Sequence, residues 1–228
     1  MEEKGSYGFV LDNSLAAVSA VITPEGVIAA DGVESKVYAV APDGSTSARQ
    51  VLRPYRRMRR DIGGDGTRYT ALGDCRKRIY LLDGDLRETG FFEPGGRDLY
   101  FKGEAVDAGT VAGSGGKYYV AFDSKAMTVT SDGKSGQTLY VPPYGARLTD
   151  VCAVTESFFA ASYVSDGMRF VAVRERGREI CGLFPRGLSL RMIFAHDDGI
   201  YALYGSGYVY NRIAKIYSSG ELNISHLK

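Results

Sequence analysis

The chain has 228 residues, of which 44% are apolar, with 29 glycines, 16 tyrosines, no tryptophan and a formal net charge of +1. That apolar share can fill a sizeable core, and the near-neutral charge argues against a bulk polyelectrolyte partner while leaving room for local patches. The three cysteines and two histidines fall at no disulfide-framework or zinc spacing, and no run of 18 apolar residues exists to span a membrane as a helix, so neither metal nor cofactor is expected.

Residues 6–11 read as a short alternating strand ahead of the first full unit; the expectation is that Tyr7 to Leu11 pairs near residues 221–227 and closes a ring. A four-strand unit then recurs five times. Its second strand is Val27-Ile28-Ala29-Ala30, Tyr69-Thr70-Ala71-Leu72, Tyr118-Tyr119-Val120-Ala121, Phe158-Phe159-Ala160-Ala161 and Ile200-Tyr201-Ala202-Leu203. From Val27 to Tyr69, Tyr118, Phe158 and Ile200 the intervals are 42, 49, 40 and 42 residues, the period of propeller blades.

The third strands, 37–40, 79–82, 127–130, 170–173 and 213–216, follow at a near-constant offset. Each ends in a glycine turn: Asp43-Gly44, Asp83-Gly84, Asp132-Gly133, Arg176-Gly177 or Ser219-Gly220. Glycine supplies the positive φ of tight hairpins. Fourth strands are expected at 49–52, 88–91, 137–140, 179–182 and 221–224. Pro54, Pro94, Pro142 and Pro185 end four of them, as suits an outer edge that needs no further donors.

The expected fold is all-β: one β-propeller domain over 1–228 with five four-stranded blades at 15–52, 57–92, 104–141, 149–184 and 190–227. Six blades with one incomplete is the alternative, and a sandwich of irregular hairpins the rival. An insertion is expected at 95–102. Helical periodicity is absent, so almost no helix is expected. The glycine-rich turns at 63–66 and 113–116 lack the following Lys-Ser/Thr and helix of a phosphate loop.

In a propeller, the loops from fourth strand to next blade and from second to third strand share one face. Here that face collects Arg53, Arg56, Arg57, Arg59, Arg60, Arg76, Lys77, Arg78, Arg97, Lys102, Arg147, Arg186 and Arg191. The opposite face collects mostly Asp and Glu. The densest run, Arg53-Pro54-Tyr55-Arg56-Arg57-Met58-Arg59-Arg60, has five arginines in eight residues and is expected in a loop leading into an inner strand. Arg forks grip carboxylate or phosphate, and Tyr55, Tyr100, Phe101, Tyr144 and Tyr208 interleave with them. The candidate ligand-binding set is Arg53, Tyr55, Arg56, Arg57, Arg59, Arg78, Arg97, Tyr144, Arg147 and Arg191.

Catalytic signals are sparse. His196-Asp197-Asp198 reads as turn chemistry. Asp12, Asp107 or Asp150 could line a central channel, and two carboxylates within about 5–10 Å there would point to a glycan-acting hydrolase or lyase. No catalytic residue is assigned. One basic run without a nucleic-acid fold motif makes nucleic acid an unexpected partner. The segment 1–6 lacks a charged-then-apolar export signal, so a cytoplasmic location is expected, with export after signal removal as the alternative.

The stretch Gly199-Ile200-Tyr201-Ala202-Leu203-Tyr204-Gly205-Ser206-Gly207, followed by Ile213-Ala214-Lys215-Ile216-Tyr217-Ser218-Ser219-Gly220-Glu221-Leu222, resembles a blade of the TolB-like propeller family common in Bacteroidetes. Arg78-Ile79-Tyr80-Leu81-Leu82-Asp83-Gly84-Asp85-Leu86 is similar to the same repeat and to NHL-type blades. The resemblance implies a binding or scaffolding propeller of the cell envelope, with no catalytic residue to carry over; the charge pattern adds the expectation that an anionic protein or glycan meets the basic face.

Overall fold

A computed structural model of the protein describes residues 7–8, 17–23, 25–31, 34–60, 69–73, 78–92, 100–101, 104–105, 110–114, 117–122, 125–129, 135–196, 199–207 and 209–227. These form five antiparallel blades and one small hairpin. A strand β1 (Tyr7–Gly8) precedes blade one, which is β2 (Ala17–Thr23), β3 (Gly26–Asp31), β4 (Lys36–Val40) and β5 (Thr46–Gln50). Blade two is β6 (Tyr55–Arg60), β7 (Tyr69–Gly73), β8 (Ile79–Leu82) and β9 (Glu88–Phe92), and the hairpin is β10 (Tyr100–Phe101) with β11 (Glu104–Ala105). Blade three is β12 (Thr110–Ser114), β13 (Lys117–Phe122), β14 (Lys125–Val129) and β15 (Ser135–Tyr140). Blade four is β16 (Arg147–Thr155), β17 (Phe158–Ser165), β18 (Met168–Glu175) and β19 (Arg178–Leu183). Blade five is β20 (Ser189–His196), β21 (Gly199–Ser206), β22 (Val209–Ser218) and β23 (Glu221–Leu222). The protein is therefore a five-bladed β-propeller, and the six-blade alternative falls.

The core lies between blades. Val21, Ala30, Val37, Tyr55, Met58 and Tyr80 pack blades one and two together. Tyr119, Tyr140, Val151 and Phe159 join three to four. Val173, Ile193, Ile200 and Ile216 join four to five. Ala20, Val40, Met192, Phe194 and Leu203 join five back to one. Between two and three, the Phe92 and Tyr118 rings meet at 4.7 Å. A two-faced blade needs apolar side chains on both sides of its middle strands, which is why those strands carry near-continuous apolar runs. Outer strands face water: β5, Thr-Ser-Ala-Arg-Gln, is exposed at every position.

Four inner strands carry a register shift at one corresponding point: Ala17/Ser19, Tyr55/Arg57, Leu148/Asp150 and Leu190/Met192. Such a bulge bends a strand and re-aims the side chain beside it. The residue just after the shift then reaches the next blade. Ser19 Oγ donates to Met58 O (2.8 Å) and accepts from Met58 N (2.6 Å). Asp150 Oδ2 accepts from Ile193 N at 2.7 Å. Met192 Sδ accepts from Ala20 N at 3.3 Å. The same stitch thus joins blades one to two, four to five and five to one.

Several boundaries differ from expectation. The fourth strand of blade one is 46–50 rather than 49–52, because Val51 turns inward and is buried. The first strand of blade three starts at Thr110, since Glu104 pairs instead with Phe101 in the extra hairpin. The last blade's outer strand is only β23, after which the chain turns into a single 3-10 turn, Ile224–His226, the one helical element among the described residues. Strand β1 pairs with β22 (Tyr7 with Ile213, Gly8 with Arg212), not with 221–227. Residues 221–227 instead return towards blade four: Asn223 N donates to Ile216 O, and Ile224 and Leu227 join the core between blades four and five. The glycine-turn pattern holds at Gly44, Gly177 and Gly220, all with positive φ, but at Asp83-Gly84 the left-handed residue is Leu86. There the Asp83 carboxylate accepts from the amides of Asp85 and Arg87, each at 2.9 Å, and fixes the loop itself.

Candidate binding face

Inner strands begin on one face of the propeller, here the entry face, and alternate strands in each blade fix which loops share it. Among the described residues, the exposed large apolar side chains are Leu52, Phe91, Val141, Tyr144, Leu183 and Val209. Five of them stand at the end of a fourth strand or in the link that follows it. The sixth, Val209, opens a third strand. All six are therefore on or beside the entry face, where a solvated loop surface would carry polar groups.

Arginines accompany them. Arg78 holds its guanidinium 4.7 Å from the centre of the Phe91 ring. Arg147 opens β16, Arg186 lies in the link before β20, and Arg191 sits at the β20 register shift with its guanidinium 5.7 Å from the Tyr210 ring centre. Tyr144, in the 141–146 link, is fully exposed.

Arg53 and Tyr55 take a different place. Arg53 Nε and Nη2 donate to the two carboxylate oxygens of Glu88 at 2.6 and 3.1 Å, and Nη1 donates to the Tyr80 hydroxyl at 3.1 Å. Tyr55 is buried and its hydroxyl donates to Glu88 Oε1 at 3.2 Å. The hydrogen bond to Glu88 raises the Arg53 pKa, while burial first and then the Glu88 charge push the Tyr55 phenol above its usual value. A bidentate fork of this kind ties the blade-one exit to the outer strand of blade two.

The arginine run is not a loop. Arg56, Arg57, Arg59 and Arg60 belong to β6, the inner strand of blade two, and the run descends from Tyr55 opposite Gly73 to Arg60 opposite Tyr69. Buried Met58 in its middle, stitched to Ser19, pulls the segment into the ladder despite its charge. The run therefore crosses the molecule from the entry face towards the opposite one. Arg97, Arg76, Lys77, Lys102 and Tyr208 lie outside the described residues, as do Asp12 and Asp107.

The sequence reading missed Arg169. It is the second residue of β18, flanked by Met168 and Phe170 in an apolar-looking strand, so nothing in its neighbourhood marks it. Arg169 Nη1 donates to Thr149 Oγ1 at 3.0 Å, and Thr149 in turn bonds Ser162 O (3.0 Å) and Ser162 Oγ (2.8 Å). Burial lowers the Arg169 pKa; Asp150 and Tyr210 oppose that shift and the Arg147 charge adds to it. Arg169 lines a cleft of about 630 Å³ with Asp166, Met168, Leu188, Arg186 and Tyr210, between blades four and five.

On the opposite face, several described acids are paired with cations. Lys117 binds Glu156 at 2.6 Å, Arg174 binds Glu179 at 2.7 Å and Arg87 binds Asp85 at 3.1 Å, so cations from strand ends neutralise part of it. A cleft of about 560 Å³ lies there between blades one and two, lined by Glu25, Ser45, Tyr69 and neighbours.

Asp150 is buried and gives its carboxylate oxygens to the amides of Val151 (2.9 Å) and Ile193 (2.7 Å), which is a structural use. His196 ends β20 with its ring edge-on to Tyr201, while Asp197 and Asp198 lie outside the described residues. Cys152 is buried and Cys181 is exposed with its sulfur 3.3 Å from the Tyr163 hydroxyl. No group of three or more His, Cys, Asp or Glu poised to hold a metal occurs among the described residues. No helix among them is long and apolar enough to cross a membrane.

No protein-family model and no curated protein sequence matches the chain. Solved structures do. The fold is similar to glutaminyl cyclase from Myxococcus xanthus, at 10% identity and TM-score 0.61 over 92% of this chain and 93% of that one. It is similar to a chain of the nidogen/laminin complex, at 15% identity and TM-score 0.53 over 85% and 74%. It is also similar to hydrazine synthase from Kuenenia stuttgartiensis, at 13% identity and TM-score 0.52 over 86% of this chain; there the chain spans only 58% of the relative. At such identities the likeness is one of fold: this chain is a β-propeller whose neighbours include both enzymes and a protein complex.

Proposed function

We propose that this propeller is a non-enzymatic binding module that docks an anionic protein on its entry face. One observation carries the reading: the exposed large apolar side chains and the arginines Arg78, Arg147, Arg186 and Arg191 occupy the same face. Aromatic and aliphatic anchors ringed by arginine are the composition of protein interfaces. A basic surface also raises the on-rate of an acidic partner. The TolB-like resemblance of blade five supports the same binding or scaffolding role, and the anionic-glycan version keeps the arginines but leaves Leu52, Val141 and Leu183 without a purpose. A channel enzyme draws no support from Asp150, whose oxygens are occupied by backbone amides.

The test is titration of the purified protein with acidic, neutral and basic polypeptides and with acidic glycans, at low and high salt. The expected result is salt-sensitive binding of acidic polypeptide that weakens about tenfold or more in Arg147→Glu/Arg191→Glu and also weakens in Val141→Ser/Tyr144→Ser. Binding of acidic glycans alone, or binding indifferent to both variants, would reject the proposal.

A further inference from the structure

We infer that the cleft between blades four and five is an anchor site for a single peptide carboxylate, gripped by Arg169. The inference rests on the binding-face reading and names the chemistry of one subsite within it. A guanidinium withdrawn from water needs a counter-charge, since a buried or half-buried cation without one is costly to hold. Among the described residues, the one hydrogen bond of the Arg169 guanidinium is to a neutral hydroxyl, that of Thr149. The Asp150 charge acts on Arg169 from a distance, but Asp150 is buried and its oxygens are turned to two backbone amides. Thr149 is itself held by Ser162, so the Arg169 side chain is fixed by a hydroxyl relay while its remaining N–H donors are left for something else.

The surroundings fit a carboxylate. Tyr210 lines the same cleft, and its hydroxyl makes no hydrogen bond among the described residues. Among the described residues, the one hydrogen bond of Arg186, also on the wall, is to the Met168 sulfur at 3.6 Å, and Arg147 adds positive potential from the strand beside Thr149. Among the described residues, Asp166 is the one acid in the lining, and it is exposed in its turn with Ser165 bonded to it. Met168 and Leu188 give the cleft an apolar wall, and a volume of about 630 Å³ admits a side chain or a chain end rather than a folded surface. Two donors of Arg169 and the Tyr210 hydroxyl then satisfy one carboxylate, and an apolar group attached to it lies against that wall.

The carboxylate has two sources in a polypeptide: a C-terminus or an Asp or Glu side chain. Three labelled peptides separate them: one with an apolar last residue and a free C-terminus, the same peptide amidated, and an amidated peptide with one internal Glu. Fluorescence polarisation is read for wild type, Arg169→Leu, Arg169→Lys, Tyr210→Phe and the opposite-face control Arg87→Gln, whose arginine pairs with Asp85, each first shown folded by circular dichroism. The expected result is binding of the free-acid or the Glu peptide, whichever is the source, with the all-neutral amide not bound. Affinity falls at least tenfold in Arg169→Leu, less in Arg169→Lys and Tyr210→Phe, and little in Arg87→Gln. Carboxylate peptides that bind wild type and all Arg169 variants alike overturn the cleft site while leaving the binding face standing. No binding of any carboxylate peptide, together with no binding of longer acidic polypeptides, overturns both. Should Arg169→Leu fail to fold, Arg169→Lys and Tyr210→Phe decide, and unchanged affinity in both rejects the inference.

Discussion

Asp150 carries a stability prediction of its own. Replacing it by alanine strips an acceptor from the Val151 and Ile193 amides in a fully buried place. A buried donor left unpaired costs about 1–3 kcal/mol, so urea denaturation of Asp150→Ala should show a loss of about 2–4 kcal/mol, with Asp150→Asn between it and wild type. Tyr140 gives a pH dependence. It is buried, and that burial, helped by the Glu179 charge, pushes its hydroxyl up to about 12. An unfolded tyrosine loses its proton near pH 10. The folded protein therefore holds a proton that the unfolded chain releases. The stabilisation is complete below about pH 10 and is lost as pH rises through about 12. Tyr140 packs on Phe159 and Tyr163, and Tyr140→Phe keeps those ring contacts. Melting curves of Tyr140→Phe and wild type should agree at neutral pH and separate above pH 10, the variant losing less.

Strands and turns set a second group of expectations. Gly199 opens β21, and a Cβ there would lie 2.3 Å from the Tyr217 carbonyl oxygen across the hairpin. The same approach recurs at Gly26, whose added Cβ would lie 2.1 Å from Val40 O. Gly145 is the control: its φ of +80° is left-handed, but nothing lies within 4 Å. Gly145→Ala should cost about 1–2 kcal/mol of backbone strain, whereas Gly199→Ala must also displace a paired strand and should cost clearly more; thermal melts of the two variants compare them directly. Strand order was legible because apolar middle strands and glycine turns repeat at one period. Element edges were not. The Arg56–Arg60 segment looks like a loop because its charge outweighs its pattern, and only Met58, Tyr55 and the Ser19 stitch across a junction make it an inner strand. Arg169 escaped notice for the opposite reason: a lone cation in an apolar strand shows its setting only when Thr149 and Tyr210 are brought beside it.

For the molecule as a whole, the five packed junctions make a single cooperative body. Phe194, in the core joining blade five to blade one, and Phe159, in the core joining three to four, are both buried. Truncating either to alanine should cost about 3–5 kcal/mol, and fluorescence and far-UV circular dichroism should report one coincident transition in each case. A smaller loss at Phe194 would mark the closing junction as a weak point. The blade count could be read from the period and the N-terminal strand from its alternation, while the partner of that strand could not, because it is set by the space that the short β23 leaves on β22.

The stitches between inner strands reach further than their bond energies. The amides of Ala20, Met58 and Ile193 sit at corresponding places in three different blades, and each is captured by a side chain from the blade before it. An amide held that way can meet solvent deuterium only when its junction parts, and no junction can part without loosening the ring. All three should therefore be among the slowest amides to exchange, at closely similar rates, and the propeller should fray from its rim towards its axis.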